Sequence, residues 1–182
     1  TTIRKEAIRM NFTSNHDENS WNGTEFERMG DATDLFAAFT YVVPGMPMIY
    51  TGQMSGNHHR LEFFEKDLID RVENAPQKAL YKGLNDLRAA NRALWSNEKG
   101  APMVRIAADN DKVFACARVK ACPKHGDNTV VAIMNMSAES QTVTLDLTNL
   151  EGEYNCLCGK TMTLETAQTL ELTPWKYIIL TK

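Results

Sequence analysis

The spacing of apolar residues changes near residue 100, and this change constrains the fold more than any other feature of the chain. Before it, short apolar stretches alternate with segments that have helical spacing. After it, short segments alternate polar and apolar residues with a period of two. Two periods in a chain of 182 residues predict two domains. Gly100 and Pro102 mark the boundary, so we divide the chain into residues 1–98 and 99–182.

The first domain is predicted to contain two strand-then-helix units. A strand at residues 10–13 precedes a capping box formed by Thr24 and Glu27, which starts an amphipathic helix with an apolar stripe. Residues 46–51 are mostly apolar, as expected of a strand that is buried on both faces. A second helix starts at residues 74–76, where an Asn cap precedes a Pro. Successive strand-then-helix units predict parallel strands.

The second domain is predicted to be all β. Its period-two segments are separated by polar turn clusters, of which Lys124 to Asn128 is one. This pattern is typical of an antiparallel β-sandwich or an open barrel. The predicted strands are residues 103–106, 113–119, 129–136, 142–147 and 177–180.

Charge and hydropathy exclude two classes of partner. Lys and Arg number 20 against 23 Asp and Glu, so no basic excess indicates nucleic acid. No apolar run approaches the roughly 20 residues that cross a bilayer, so we expect no membrane partner. The chain opens with Thr1 and Thr2, without an initiator Met or a signal peptide, and we therefore expect an internal part of a longer protein. The compartment is not indicated.

The cysteines do not suggest a metal or a disulfide scaffold. Five residues separate Cys116 from Cys122, and a single residue separates Cys156 from Cys158, which are poor spacings for zinc. We predict free thiols and no metal site. A cysteine-dependent metal module is the weakest of the functional hypotheses.

Asn15, His16 and Asp17 directly follow the first predicted strand. In a parallel α/β barrel, reacting groups lie at the carboxyl ends of strands. A carboxylate beside an imidazole suits sugar chemistry, because the carboxylate stabilises a developing positive charge and the imidazole donates to a hydroxyl. The alternative is an ordinary polar loop in which Asn15 and Asp17 bond to nearby backbone N–H groups.

Two longer segments resemble the last conserved segments of the α-amylase superfamily of glycoside hydrolases. They are FTSNHD at residues 12–17, with the polar sequence that follows, and PGMPMIYTGQ at residues 44–53. The resemblance implies that residues 1–98 are the last two β/α units of a (β/α)8 TIM barrel. It also implies that residues 99–182 are the antiparallel β-sandwich called domain C, with LTPWKYIIL at residues 172–180 as its final strand.

The same resemblance implies roles for the motif residues. Asp17 falls on the aspartate that stabilises the transition state, and His16 on the histidine that hydrogen-bonds the sugar. Asn15 accompanies them in substrate binding and fixes the loop. Trp21, Phe63 and Phe64 are candidates for stacking on a sugar ring. Trp21, next to the motif, is the best of the three, and core packing is the favoured prediction for Phe63 and Phe64.

The family is retaining and acts on α-glucans such as starch and maltooligosaccharides, with a carboxylate nucleophile and a separate acid/base. Neither group has a match in this sequence, so we expect the isolated chain to be inactive and to need the earlier part of the barrel as its partner. An open strand edge would favour self-association. Met54 stands where many members have Glu. The resemblance leaves calcium open for a longer parent, but no calcium site is identified in this chain.

A second hypothesis comes from a different class: a non-catalytic carbohydrate-binding or interaction module. It is favoured if the 182 residues are the natural chain, since the nucleophile and the acid are absent. The sequence upstream of Thr1 would separate the two hypotheses.

Overall fold

The computed structural model of the protein describes residues 7–123 and 126–182. The opening Thr1-Thr2 sequence and the Lys124-His125 part of the predicted turn lie outside these residues. The chain divides into two compact units, Thr1–Tyr41 with Gly45–Asp86, and Val42–Pro44 with Leu87–Lys182. The boundary at residues 98 and 99 stays a prediction. In the part of the chain that the structure describes, no helix is long and apolar enough to cross a membrane.

The described residues 7–90 contain short strands and three α-helices. The regular elements are β1 (Met10–Asn11), α1 (Glu25–Met29), α2 (Thr33–Val42), β2 (Met46–Pro47) and α3 (Pro76–Ala90). A π-helical turn, Glu18–Asn22, and the 3-10 turns Gly30–Ala32 and Gln53–Ser55 lie between them.

β1 and β2 pair in parallel, as the succession of strand and helix predicts. Met10 is opposite Met46, and Asn11 is opposite Pro47. The N–H of Met46 donates to Arg9 O, and the N–H of Met48 donates to Asn11 O, each over 2.8 Å. This pairing carries the two motif segments to the same end of the strands. The complete (β/α)8 barrel stays a prediction.

The prediction that residues 46–51 form a strand buried on both faces is wrong. β2 covers only Met46–Pro47, and Met46 is 49% exposed. On β1, Met10 is 50% exposed and the preceding Ile8 is 46% exposed. A strand is buried on both faces only when layers of structure cover both. Among the described residues β2 pairs with β1 alone, so these apolar side chains remain open to solvent.

The capping box predicted from the sequence starts α1. Thr24 Oγ1 accepts from the N–H of Glu27 over 3.2 Å, and Glu27 Oε2 accepts from the N–H of Thr24 over 2.7 Å. These two bonds satisfy donors that a helix start leaves without partners.

The single helix expected after this start is divided. α1 ends at Gly30, whose φ of +53° is a left-handed conformation that glycine adopts readily, and α2 begins three residues later. The division shifts the apolar face, so α2 buries Leu35, Ala38 and Tyr41, whereas Phe36 is half-buried.

The rest of the chain forms an antiparallel β structure, as predicted. One sheet has the order β3-β4-β5-β10-β7-β8 and a second pairs β6 with β9. Sequence patterning missed β7, β8 and β9. The strands are β3 (Val104–Arg105), β4 (Val113–Lys120), β5 (Asn128–Asn135), β6 (Gln141–Asp146), β7 (Gly152–Cys156), β8 (Thr161–Leu164), β9 (Ala167–Leu172) and β10 (Tyr177–Thr181).

Side chains from both sheets form one hydrophobic core. Ile133 and Tyr154 of the larger sheet share this core with Leu145 and Leu172 of the smaller sheet, and each is at most 1% exposed. Burial of one such aliphatic side chain stabilises the fold by about 1.5–3 kcal/mol. Two antiparallel sheets that share a core are consistent with a β-sandwich.

Arg118 of β4 is buried, with 3% exposure, and donates to main-chain carbonyls. Its Nε donates to Ala101 O and its Nη2 to Trp95 O, each over 3.0 Å. Longer contacts join Nη1 to Val42 O at 3.4 Å and to Leu94 O at 3.5 Å. Burial lowers the pKa of Arg118 to about 10. These bonds compensate for removing the guanidinium from water.

Gly45→Ala is expected to destabilise the strand pair. Gly45 has φ of +139°, and a Cβ there would lie 2.6 Å from Asn11 Nδ2 and 2.7 Å from Arg9 O. Because Arg9 O accepts the bond that starts the pairing, the clash cannot be relieved by a side chain alone. We expect a loss of about 1–3 kcal/mol in the free energy of unfolding, measured by urea denaturation.

Gly83→Ala is the matched control for this substitution. Gly83 lies inside α3, and no atom lies within 4 Å of the position of its Cβ. The same added methyl group should there stabilise the protein by about 0.5–1 kcal/mol, because Gly is unfavourable within helices. A Gly45→Ala protein as stable as the wild type would contradict the assignment.

Candidate functional site

The first motif follows β1 and turns directly into a helical segment. Asn15 starts this turn, since its Oδ1 accepts from the N–H of Glu18 over 2.8 Å and its carbonyl accepts from the N–H of Asn19 over 2.9 Å. Asp17 has helical backbone angles, with φ of −68° and ψ of −50°. The local fold therefore holds Asn15 by its own side chain and presents the next two residues on the first turn.

His16 and Asp17 are exposed side by side at this turn. Their side chains are 66% and 62% exposed, and His16 Nε2 lies 3.6 Å from Asp17 Oδ2. An exposed carboxylate next to an exposed imidazole offers acceptors and a donor to a polar ligand. The structure brings the two residues together, and their functional roles stay a prediction.

A buried polar network lies beneath the motif. Thr13 Oγ1 donates to Glu25 Oε2 over 2.9 Å, and Gln53 Nε2 lies within hydrogen-bonding distance of both groups. The Tyr81 hydroxyl lies 2.8 Å from Gln53 Nε2 and 3.4 Å from Glu25 Oε2. Gln53 is also fixed at its other end, where Oε1 accepts from the N–H of Tyr50 over 2.6 Å. The network connects the segments that follow β1 and β2.

Glu25 is the titratable group at the centre of this network. It is 3% exposed, and its Oε1 atom has no hydrogen-bond partner among the described residues. Burial raises the pKa of Glu25, while hydrogen bonds from Thr13, Gln53 and Tyr81 act in the opposite direction. A buried carboxyl group with one unpartnered oxygen favours its neutral form.

Sequence patterning missed this network. Glu25 stands in the first turn of α1, where an acidic side chain normally complements the helix dipole at the surface. Gln53 is the last residue of the second motif, and this position is the only sequence feature that could have indicated its part in the network. Met54, which stands where many α-amylase superfamily members have Glu, is half-buried in the adjacent 3-10 turn.

The loop between β2 and α3 is held against the motif turn by polar contacts. Asn19 Oδ1 accepts from the N–H of Leu61 over 2.8 Å, and Ser20 Oγ donates to Leu61 O over 2.7 Å. Arg60 is paired with Glu27, with Nε 3.1 Å from Oε2. These contacts bring the residues after Leu61 close to the motif.

Three aromatic side chains meet at this place. Trp21 lies 5.1 Å from Phe63 between ring centroids, and Phe63 lies 4.8 Å from Phe64. The prediction that Phe63 and Phe64 pack in a core is wrong, because Phe63 is 36% exposed and Phe64 is 82% exposed. Their loop is attached through its backbone at Leu61, which leaves the rings at the surface. Trp21 is 57% exposed, and its proposed stacking role stays a prediction.

Metal ligands are not grouped in the described part of the chain. Within residues 7–123 and 126–182, no three His, Cys, Asp or Glu side chains are arranged to hold a metal ion. The four cysteines are free thiols, and only Cys116 is buried. Calcium in a longer parent stays untested.

Glu25→Gln is expected to change how stability depends on pH. Because burial raises the pKa of Glu25 above its ordinary 4.5, its contribution is full below pH 4.5 and is lost as pH rises through the folded-state pKa. Gln keeps an acceptor for the converging donors and does not titrate. The variant should gain stability over the wild type as pH rises towards neutral, by on the order of 1 kcal/mol per pKa unit. Urea denaturation across this pH range measures the difference.

Glu27→Gln is the control on the same helix. Glu27 is exposed, and its hydrogen bond with Arg60 lowers its pKa, with a further contribution from the N–H of Thr24. Its contribution is therefore present above pH 4.5 and is lost as pH falls, so this variant should lose stability near neutral pH. A pH-independent difference for Glu25→Gln would contradict the buried carboxyl interpretation.

Comparison with known proteins identifies relatives over most of the chain. No family model matches. The α-amylase MalA from Haloarcula japonica is 27% identical over 165 residues, which cover 85% of this chain and 23% of MalA. This chain therefore spans about a quarter of the curated relative that it matches.

Solved structures share the fold. The maltogenic α-amylase AmyB from Thermotoga neapolitana matches with a TM-score of 0.76 and 19% identity over 96% of this chain and 41% of AmyB. An α-amylase from Lactobacillus plantarum matches 100% of this chain and 40% of its own, with a TM-score of 0.70 and 13% identity. AmyP, solved in complex with maltose, matches over 97% of this chain and 41% of AmyP, with a TM-score of 0.65 and 18% identity. These matches confirm that the chain is similar to α-amylase-type glycoside hydrolases over most of its length.

Proposed function

We propose that this chain is the C-terminal part of a retaining α-amylase-type glycoside hydrolase that acts on α-glucans. In this proposal β1 and β2 are the last two strands of a (β/α)8 barrel, and the antiparallel β structure is domain C. The earlier part of the barrel is the partner that completes the site. The maltose complex of AmyP, a protein of similar fold, supports an oligosaccharide as the ligand.

The observation that carries the proposal is the parallel pairing of β1 with β2. It brings the carboxyl ends of both motif-bearing strands to one edge, with exposed His16 and Asp17 directly after β1. Parallel α/β barrels carry their reacting groups at this end of the strands.

Asp17 is proposed as the stabiliser of the transition state. Glycoside cleavage develops positive charge on the sugar ring, and a fixed carboxylate lowers the energy of that charge. His16 donates a hydrogen bond to a sugar hydroxyl, while Asn15 fixes the turn and completes the binding site. Trp21 supplies an apolar ring face for the sugar.

The nucleophile and the acid/base are proposed to come from the earlier part of a longer chain. Two carboxyl groups near Asp17 are not placed to act as nucleophile or acid/base. Glu18 Oε2 lies 3.7 Å from Arg28 Nη1, and Glu25 is buried. Retaining hydrolysis needs two carboxyl groups about 5–5.5 Å apart on either side of the scissile bond. We therefore propose that the 182 residues alone do not catalyse hydrolysis and that their open strand edge favours self-association.

A carbohydrate-binding module is the second candidate. The exposed aromatic rings next to His16 favour it, since stacking on a sugar does not need a nucleophile. Binding of maltooligosaccharide by a natural chain that shows no turnover would distinguish this candidate from the enzyme.

Asp17→Asn is expected to reduce kcat in the full-length protein that contains this chain by about 10²–10³-fold, because it removes a charge aimed at the developing cation. Hydrolysis of maltooligosaccharide measures the effect. The fold should be unchanged, since Asp17 is exposed.

Asp31→Asn is the matched control for Asp17→Asn. Asp31 is an exposed carboxylate in the 3-10 turn after α1, and its loss should leave kcat unchanged. Near-normal turnover of Asp17→Asn would refute the proposed role.

A further inference from the structure

Two thiols lie at the end of β7, in the all-β part of the chain. Cys156 is the last residue of β7, and Cys158 lies two residues later, in the loop that leads to β8. Cys156 is half-buried and Cys158 is exposed. A single residue separates them in the sequence, so the two thiols can react with each other as well as with a ligand.

The loop between β7 and β8 is a short hairpin connection held by main-chain hydrogen bonds. The N–H of Cys156 donates to Lys160 O over 2.7 Å, and the N–H of Gly159 donates to Cys156 O over 2.8 Å. Gly159 has φ of +81°, as is usual at the end of a three-residue hairpin loop. The N–H of Leu157 donates to Ile179 O of β10 over 2.8 Å, which attaches the loop to the sheet. The backbone between the two cysteines is therefore fixed by the fold.

The two cysteine side chains converge across this loop. Cys156 Sγ accepts from the N–H of Cys158 over 3.3 Å, so the first sulfur lies against the residue that carries the second. The two thiol groups also hydrogen-bond each other. Two residues of extended chain span at most about 7 Å, and a turn shortens this distance. The backbone thus approaches the Cα separation of about 4.4–6.8 Å that a disulfide needs.

The surroundings of the pair favour reaction at Cys158. The hydrogen bond from the Cys156 thiol lowers the pKa of Cys158, and the N–H and the ammonium group of Lys160 act in the same direction. Burial raises the pKa of Cys156. The thiolate is the nucleophile in thiol chemistry, and reactive cysteines are exposed and lie beside positive charge. Cys158 therefore has the properties of an attacking thiol, and Cys156 those of a second thiol held behind it.

The pair suits a disulfide better than a metal ion. Zinc takes four ligands in structural sites, and in catalytic sites it takes three from the protein. Among the described residues, no third His, Cys, Asp or Glu side chain joins the two thiols in a group that could hold a metal ion. Two thiols alone complete neither kind of zinc site, whereas they are sufficient for thiol–disulfide exchange.

We propose that Cys156 and Cys158 form a thiol–disulfide exchange site that reduces low-molecular-weight disulfides. The Cys158 thiolate attacks one sulfur of the disulfide, forms a mixed disulfide and releases the first thiolate of the ligand, which takes a proton from water. Cys156 then gives its proton to water, attacks Cys158 Sγ and releases the second thiolate, which is protonated in turn. Two electrons and two protons pass to the ligand, and the chain is left with a Cys156–Cys158 disulfide.

The test is incubation of the 182-residue chain with glutathione disulfide, followed by alkylation of the remaining thiols and peptide mass spectrometry. In the wild type, the peptide that contains both cysteines should lose two hydrogen atoms and resist alkylation. Little mixed disulfide should accumulate, because the second step is intramolecular. Cys156→Ser removes the second thiol and should therefore trap glutathione on Cys158. Cys158→Ser should be modified at Cys156 roughly tenfold more slowly, since Cys156 is the less exposed and less acidic thiol.

Cys122→Ser is the matched control for the two variants. Cys122 is a half-buried thiol whose nearest cysteine in the sequence is Cys116, so it has no second thiol beside it in the chain. Its removal should leave the rate at which the Cys156–Cys158 disulfide forms unchanged. In the wild type, Cys122 should form a mixed disulfide roughly tenfold more slowly than Cys158 reacts.

Three results would overturn the inference. Both thiols could remain free to alkylation after incubation with excess glutathione disulfide, or the disulfide could join two chains instead of the two cysteines. Equal rates of modification at Cys122 and Cys158 would show that the pair has no special reactivity. The assay measures thiols and not hydrolysis, so its outcome is independent of the proposed function and of the Asp17→Asn result.

Discussion

The parallel pairing of β1 with β2 is the constraint from which the candidate site follows. Two hydrogen bonds from the N–H groups of Met46 and Met48 define it, and they fix the register of strands that are only two residues long. A shift of one residue would exchange the faces of every side chain that follows. The positions of the motif turn, of Gln53 and of the loop beyond it all depend on these bonds.

The site combines an exposed layer with a buried one of different electrostatic character. His16 and Asp17 lie in water, where a charge is well solvated and available to a ligand. Glu25 lies below them in a buried network with Gln53 and Tyr81, where burial raises the pKa of both Glu25 and Tyr81. Burial shifts the carboxyl group below the turn towards its neutral form, which weakens the negative field that would compete with the one above. In the proposed function, the lower layer positions the backbone and the upper layer contacts the substrate.

Sequence reasoning succeeded where local chemistry determines structure. The capping box at Thr24, the parallel pairing and the antiparallel strands β4, β5, β6 and β10 follow from short-range patterns. The division of the helix at Gly30 was not predicted, because an apolar stripe can continue on either side of a broken helix. Strands β7, β8 and β9 were missed although each alternates exposed residues with more buried ones. The exposure of Phe64 and the burial of Glu25 reverse ordinary residue preferences, which only tertiary contacts reveal.

The hydrogen bonds of Arg118 constrain Arg118 itself much more than they constrain the residues that accept them. Its described partners are main-chain carbonyl oxygens, which are present whatever side chain a residue carries. Substitution at Ala101 or Trp95 can change packing but cannot delete the acceptor, whereas substitution of Arg118 removes every donor at once. Lys could not replace it, because a single ammonium group lacks the planar fork of donors with which a guanidinium reaches several acceptors. The side-chain identity of a single residue, Arg118, therefore determines this set of hydrogen bonds, and substitutions at the partner positions leave the acceptors in place.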